Sequence, residues 1–272
     1  LCMRGPYVSN GFFKIKNSES FKDGWFYSGD IFEIKGEHYF ILDRKKDIYK
    51  NSRGQTIAPQ KIENLFQDFD LVRSVFLVGD GKEYNTVLIY PNKENLQFNI
   101  SEMNNNEIHE VFSAMLISVN GFLSPFERIV NFSVIERDFS IENNELTQKG
   151  TFKRNNILNN FKSTIDLMYK KDYVSLYNGN KEIKIPNWLI REIGTIKSNI
   201  KWNEKEVLIK DKKMSLPLKW NNDIINIGNF SYKIESQVFD LASFIKSPKL
   251  WLGNQKFIHF CSSTIFRIKE SV

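Results

Sequence analysis

The runs Asp30-Ile31-Phe32-Glu33-Ile34 and His38-Tyr39-Phe40-Ile41-Leu42 alternate or stay apolar on either side of Lys35-Gly36-Glu37, which predicts a β-hairpin. Asp30 and Asp43 fall at opposite ends of that hairpin. A second hairpin is predicted from Ile48 to Asn51 and Gln55 to Ala58, with Ser52-Arg53-Gly54 at its tip, and Pro59 suits the first position of a following helix. That helix runs through Ile62, Leu65 and Phe66, and strands follow over Val72 to Val78 and Thr86 to Tyr90. Between Glu107 and Val119, Ile108, Val111, Phe112, Met115 and Val119 recur near helical spacing, which predicts one buried helix face. Val130 to Ile135 reads as a strand and Asn155 to Tyr169 as a closing amphipathic helix. Farther on, Pro186 to Ile193 reads as a short helix stopped by Gly194. Val207 to Lys210, Met214 to Leu218, Ile224 to Ile227, Phe230 to Ile234 and Lys256 to Ile268 look strand-like. The expected fold class is α+β: a compact sheet with helices on its faces, then a β-rich C-terminal appendage.

Composition narrows the class without naming a chemistry. A chain of 272 residues, 41% hydrophobic and 14% aromatic, is globular and long enough for one or two cores. No apolar run approaches the roughly 20 residues that span a bilayer. Cys2 and Cys261 form no disulfide framework or paired metal motif, which favours a reducing, cytoplasmic compartment. His38, His109 and His259 are scattered, so no histidine-rich metal site is expected. Charge divides the chain: residues 1–174 carry a net −1 and residues 175–272 a net +7. The change falls near Tyr173 to Lys181, where Asn178-Gly179-Asn180 also supplies turn chemistry.

The candidate chemistry lies in five ordered blocks. Gly24-Trp25-Phe26-Tyr27-Ser28-Gly29-Asp30 is followed by Asp43-Arg44-Lys45-Lys46-Asp47, then by Gly54-Gln55-Thr56-Ile57-Ala58-Pro59-Gln60-Lys61-Ile62-Glu63. Leu146-Thr147-Gln148-Lys149-Gly150-Thr151-Phe152-Lys153-Arg154 comes last, and Arg4-Gly5-Pro6-Tyr7-Val8-Ser9-Asn10-Gly11-Phe12-Phe13 precedes them all. Together they resemble the C-terminal portion of adenylate-forming (AMP-binding) enzymes of the acyl-CoA synthetase or long-chain fatty acid–CoA ligase type. The resemblance covers roughly residues 1 to 170. It implies that residues 1–43 are the end of a large AMP-binding domain, 44–174 the small C-terminal domain, and 175–272 an extension of unassigned family. Leu1 in place of Met opens the chain inside such a motif, so a fragment of a longer enzyme, inactive without the large domain, is expected.

Carboxylate activation brings two anions together, so positioning and cationic stabilisation must supply much of the catalysis. By resemblance, Asp30 accepts hydrogen bonds from the ribose hydroxyls of the nucleotide, and Arg44 offers a guanidinium fork beside them. Asp43 is the implied hinge, where the small domain alternates between adenylation and thioester formation. Gly54 is the implied thiol-access loop, at which backbone comes close to the pantetheine. Many relatives read Gly-Lys-x-x-Arg at the terminal motif, whereas Gly150-Thr151-Phe152-Lys153-Arg154 has Thr151 in the lysine position. The catalytic candidates are therefore Lys149 and Lys153.

ATP, Mg2+ and CoA are the implied cofactors and cosubstrates, with the metal ligands expected in the large domain. The implied partners are a carboxylic acid of the fatty acid class and either CoA or a carrier-protein thiol. Nucleic acid is not an expected partner: Arg44, Lys45, Lys46, Lys50 and Arg53 spread over ten residues read as a solvated face. A noncatalytic interaction module is the alternative from another class, raised by Thr151 and by the unassigned tail. That tail holds Trp188, Trp202, Trp220 and Trp251 interleaved with lysines, the pattern of a packed β core with a solvated face. It admits three roles: the start of a fused domain, an interaction module, or a brace on the small domain.

Overall fold

A computed structural model of the chain describes residues 1–9, 11–14, 19–95 and 100–261. Three short strands, β1 (Cys2–Met3), β2 (Phe21–Lys22) and β3 (Trp25–Tyr27), form a sheet in the order β1-β3-β2. The segment Arg4 to Phe13 lies beside it, with Asn10 outside the described residues. The two expected hairpins follow: β4 (Asp30–Lys35) with β5 (His38–Arg44), and the shorter β6 (Tyr49–Lys50) with β7 (Thr56–Ile57). Pro59 opens α1 (Pro59–Asn64), where its missing N–H costs nothing.

The central sheet has the order β10-β9-β8, built from β8 (Val72–Val78), β9 (Asn85–Pro91) and, after α2 (Asn105–Asn120), β10 (Ile129–Val134). β8 and β9 are antiparallel and β10 joins parallel, its crossover made by α2. Val75, Leu77, Val87 and Ile89 point to one face, against Ile62 of α1 and Phe112, Leu116 and Val119 of α2. Phe76, Val78 and Leu88 point to the other, against Ile157, Phe161 and Ile165. Both faces are covered, which is why these strands read as continuous apolar runs rather than alternating ones. α2 begins at Asn105 because Asn104 and Glu107 close a capping box: the Asn104 side chain accepts from the Asn106 and Glu107 amides, and Glu107 accepts from the Asn104 amide.

The helix expected over Asn155 to Tyr169 is two: α3 (Arg154–Asn160) and α4 (Lys162–Tyr169). Phe161 leaves helical geometry at φ −102° and ψ 17°, and its ring packs edge-on against Phe139 at 5.5 Å, with the Arg137 guanidinium 4.6 Å away. Burial of that ring in the second core wins over helix continuity.

Beyond α4, β11 (Tyr173–Asn178) and β12 (Lys181–Pro186) form a hairpin whose tip is the Asn178-Gly179-Asn180 turn. α5 (Asn187–Ile193) ends at Gly194, at φ +80°, where a side chain would strain the backbone and its Cβ would sit 3.0 Å from the Arg128 guanidinium carbon. A five-stranded antiparallel meander follows: β13 (Ile200–Trp202), β14 (Glu206–Ile209), β15 (Met214–Asn221), β16 (Ile224–Ile227) and β17 (Phe230–Lys233). Next, β18 (Val238–Asp240) pairs parallel with β12, and α6 (Leu241–Ile245), α7 (Pro248–Trp251) and α8 (Gln255–Phe260) close the third core. The strand expected over Lys256 to Ile268 is overturned at its start. Asn254 caps α8 by accepting from Phe257 N and donating to Ile227 O, and Phe257, Phe260 and Cys261 bury at helical spacing. The rest of that expectation, residues 262–268, lies outside the described residues.

Candidate functional site: a cleft between the hairpin and the terminal loop

Antiparallel pairing brings the two ends of β4–β5 together, so Asp30 lies opposite Arg44 and Ile31 opposite Asp43. The sequence placed the two aspartates at opposite ends; in space they share the open end of the hairpin. Arg44 Nε is 3.5 Å from Asp30 Oδ1, and the arginine side chain remains half exposed. A bulge skips Leu42, since Ile31 pairs with Asp43 but Phe32 pairs with Ile41. Bulges re-aim side chains, and just past this one Asp43 is only 1% exposed on a hairpin that is otherwise largely solvated.

Asp43 is tied down on both oxygens. Oδ1 accepts from the Arg44 amide at 2.7 Å and Oδ2 from the Gln60 amide at 2.7 Å. Gln60 is the second residue of α1, whose N-cap position, Ala58, makes no side-chain cap bond. Asp43 thus supplies, from β5, the capping acceptor that Ala58 lacks. Burial raises its pKa, only partly offset by these amides and by Arg154.

α1 also presents Glu63 to the cleft floor. Its Oε1 accepts from Leu77 N at 2.7 Å and its Oε2 from Arg154 Nη2 at 2.6 Å. The Arg154 guanidinium also lies 4.8 Å from the Phe76 ring. Burial pushes the Glu63 carboxyl up in pKa despite the arginine, which acts in the opposite direction. Sequence reasoning quoted both residues as motif members but gave neither a role.

The terminal motif is a closed loop. Leu146 and Phe152 form a bridge, Thr147 N donates to Thr151 O at 2.9 Å, and the two threonine hydroxyls lie 2.7 Å apart. Thr147 Oγ1 also accepts from Thr151 N and Lys149 N. Thr151, in the lysine position, thus fastens the loop. Lys149 sits exposed near the loop tip with no side-chain partner among the described residues. Lys153 is half-buried, donating its backbone N–H to Glu145 O at 2.7 Å and its ammonium to Asn144 Oδ1. The loop rests on Glu145, fully buried, which takes both arms of Arg137 at 2.8 and 2.7 Å together with Ser140 N and Asn160 Nδ2.

These parts enclose a cleft of about 1150 Å³ lined by Asp30, Asp43, Arg44, Glu63, Lys153 and Arg154, among others. Lys149 and Gly54 are not among its lining residues. Gly54, at φ +77°, faces open space in a loop held to the β8–β9 turn. An acceptor carboxylate beside a guanidinium fits the ribose and phosphates of a nucleotide. Among the described residues no group of three or more His, Cys, Asp or Glu side chains is placed to hold a metal ion. No step is therefore assigned to Mg2+ on these residues.

Residues 46–173, a little under half of the chain, match the family described as AMP-binding enzyme C-terminal domain. Fatty acid–CoA ligases are among the proteins the chain resembles in sequence. Human long-chain-fatty-acid–CoA ligase 1 is 31% identical over 188 residues, 62% of this chain and 27% of that protein. Fatty acyl-CoA synthetase B of Dictyostelium discoideum is 31% identical over 187 residues, 63% of this chain and 28% of that one. The chain thus spans little more than a quarter of the length of these curated relatives. Among solved structures, the adenylation domain of a carboxylate reductase from Mycobacterium chelonae aligns with TM-score 0.48 at 23% identity, over 55% of this chain and 24% of that one.

Proposed function

We propose that the chain is the C-terminal part of an ATP-dependent acid–thiol ligase that turns a carboxylic acid of the fatty acid class into an acyl-adenylate and then an acyl-CoA thioester. The observation that carries this reading is the convergence on one cleft of Asp30, Arg44 and the terminal loop that bears Lys149 and Lys153, with Asp43 in the cleft wall. The names of the curated relatives support the substrate class and CoA as thiol. In this reading residues 1–43 complete a large AMP-binding domain, 44–174 are the small domain and 175–272 an extension. The enzyme works in the cytoplasm, and the 272-residue chain alone does not turn over. Among the described residues no helix is long and apolar enough to cross a membrane.

ATP supplies the phosphorus that the acid attacks, with pyrophosphate as leaving group. Asp30 has one oxygen turned to Arg44, and its other lone pairs serve the ribose hydroxyls. Arg44 provides a fixed positive fork beside the nucleotide. Lys149 brings its ammonium to the acid and the α-phosphate, while Lys153 anchors the loop through Asn144. Asp43 is the point about which the small domain turns, after which the Gly54 loop approaches the thiol.

Acid-dependent ATP–pyrophosphate exchange by the full-length enzyme tests this across a panel of fatty and aromatic acids. Exchange is expected with fatty acids. Lys149→Ala should cut it at least about a hundredfold, the scale of one lost transition-state donor, and Lys153→Ala much less. A reversed order would move the role to Lys153, and folded enzyme with no exchange on any acid would sink the ligase reading.

A further inference from the structure

The turn between β8 and β9, Gly79 to Tyr84, is gripped from two sides. On one side lies the Gly54 hairpin. Gly81 N donates to Lys50 O at 2.9 Å, Ser52 N to Lys82 O at 3.0 Å, and Arg53 Nη2 to Glu83 Oε1 at 3.0 Å. Tyr49 OH donates to Asn85 Oδ1 at 2.9 Å, a contact that needs glycine at position 79, where a Cβ would lie 2.6 Å from that hydroxyl.

On the other side lies the first helix of the extension. Arg191 of α5, 1% exposed, donates through Nη1 to the Glu83 carbonyl at 2.5 Å and through Nη2 to Glu192 at 2.7 Å. Asn187 Nδ2 donates to the Tyr84 hydroxyl at 2.9 Å. Tyr84 is buried in the extension's core and stacks on Tyr169 at 5.1 Å. Glu83 therefore joins the two: its backbone oxygen is held by the extension and its side chain holds the glycine loop. A fully buried arginine is costly unless its bonds are made; Nη1 and Nη2 are paired while Nε has no partner among the described residues, so the bond to the Glu83 carbonyl is one the side chain can ill lose.

We infer that residues 175–261 position the Gly54 loop through this turn, with Arg191 as a positioning residue for transfer of the acyl group to the thiol. The role of the loop in that transfer rests on the function proposed above; the mechanical link does not. The extension is then a brace on the glycine loop, and its chief effect is on the second half-reaction rather than on adenylation.

The link is read first by amide hydrogen exchange in the 272-residue chain. Arg191→Met should speed exchange at Ser52 and Gly81 about tenfold, the scale of a lost bond to a charged group, while Val87, Leu88 and Ile89 in the central strand stay unchanged. Tyr84→Phe, which keeps the ring stack, is the gentler variant and should give a smaller rise at the same amides. Arg191→Lys keeps a donor and should restore part of the protection. Unchanged exchange at Ser52 and Gly81, or a parallel rise across the chain, overturns the link.

In the full-length enzyme, Arg191→Met should slow thioester formation from preformed acyl-adenylate while pyrophosphate exchange persists, and Gly54→Val is the control. If Gly54→Val slows the thioester step and Arg191→Met does not, the brace is wrong and the reading of the loop stands. If Gly54→Val has no effect, the reading of the loop falls, and with it the assignment of Arg191 to that step.

Discussion

Two buried carboxylates near the cleft respond to their surroundings in opposite directions, and pH separates them. Asp43 accepts two amide hydrogens yet is raised in pKa, because burial outweighs its bonds. A raised acid contributes stability that is full below its unfolded pKa of 3.8 and lost as pH climbs through the folded value. Burial also pushes Glu145 upward, but its bonds from Arg137, Asn160 and Ser140 leave it lowered on balance. Its contribution is full above 4.5 and lost as pH falls through the lowered value. Urea unfolding from about pH 4 to 7 should therefore show wild type losing ground to Asp43→Asn as pH rises. Against Glu145→Gln, with the scan extended down to about pH 3, it should gain ground as pH rises to 4.5 and then run level, and parallel profiles would refute both assignments. Asp30 and Asp43 were legible because they sit in ordered blocks. Glu63 and Arg154 meet across 91 positions of chain, and no local pattern announces a partner that far away.

At the scale of elements, what was legible followed from how completely each one is buried. β8 and β9 are covered on both faces and read as apolar runs, close to their true bounds. α2 showed its face but not its start, which Asn104 and Glu107 set through the capping box. Asn104→Ala should cost about 1 kcal/mol in chemical denaturation, and a cost near zero would mean the box is idle. The kink at Phe161 and the helix at 255–260 escaped notice for a common reason. In each, a ring or a cap finds its partner in another element, Phe139 in one case and Ile227 in the other. Local propensity gives no sign of either.

For the whole molecule, the shift in charge near Tyr173 is the ground for expecting a change of unit there, whereas the contacts that join the parts before and after it, polar through Asn187 and Arg191 and apolar through Tyr84 and Val130, are invisible in composition. Tyr84 and Val130 belong by sequence to the first half and by packing to the core of the second. The hairpin β4–β5 is the opposite case, a sheet of two strands only, with Ile34, Tyr39, Phe40 and Ile41 between 48% and 68% exposed. Isolated two-stranded hairpins are marginally stable, and this one is fastened at its open end, by Asp43 to Gln60, while its tip at Gly36 stands free of the cores. Asp30 therefore rides on a ladder that stands outside the three cores. A protease at low dose should nick Lys35 before any site in β8 or β9, and first cleavage within the central sheet would contradict this. Such a cut would sever Asp30, the proposed nucleotide ligand, from Arg44 while leaving both larger cores intact, so lost activity would be a poor gauge of lost fold.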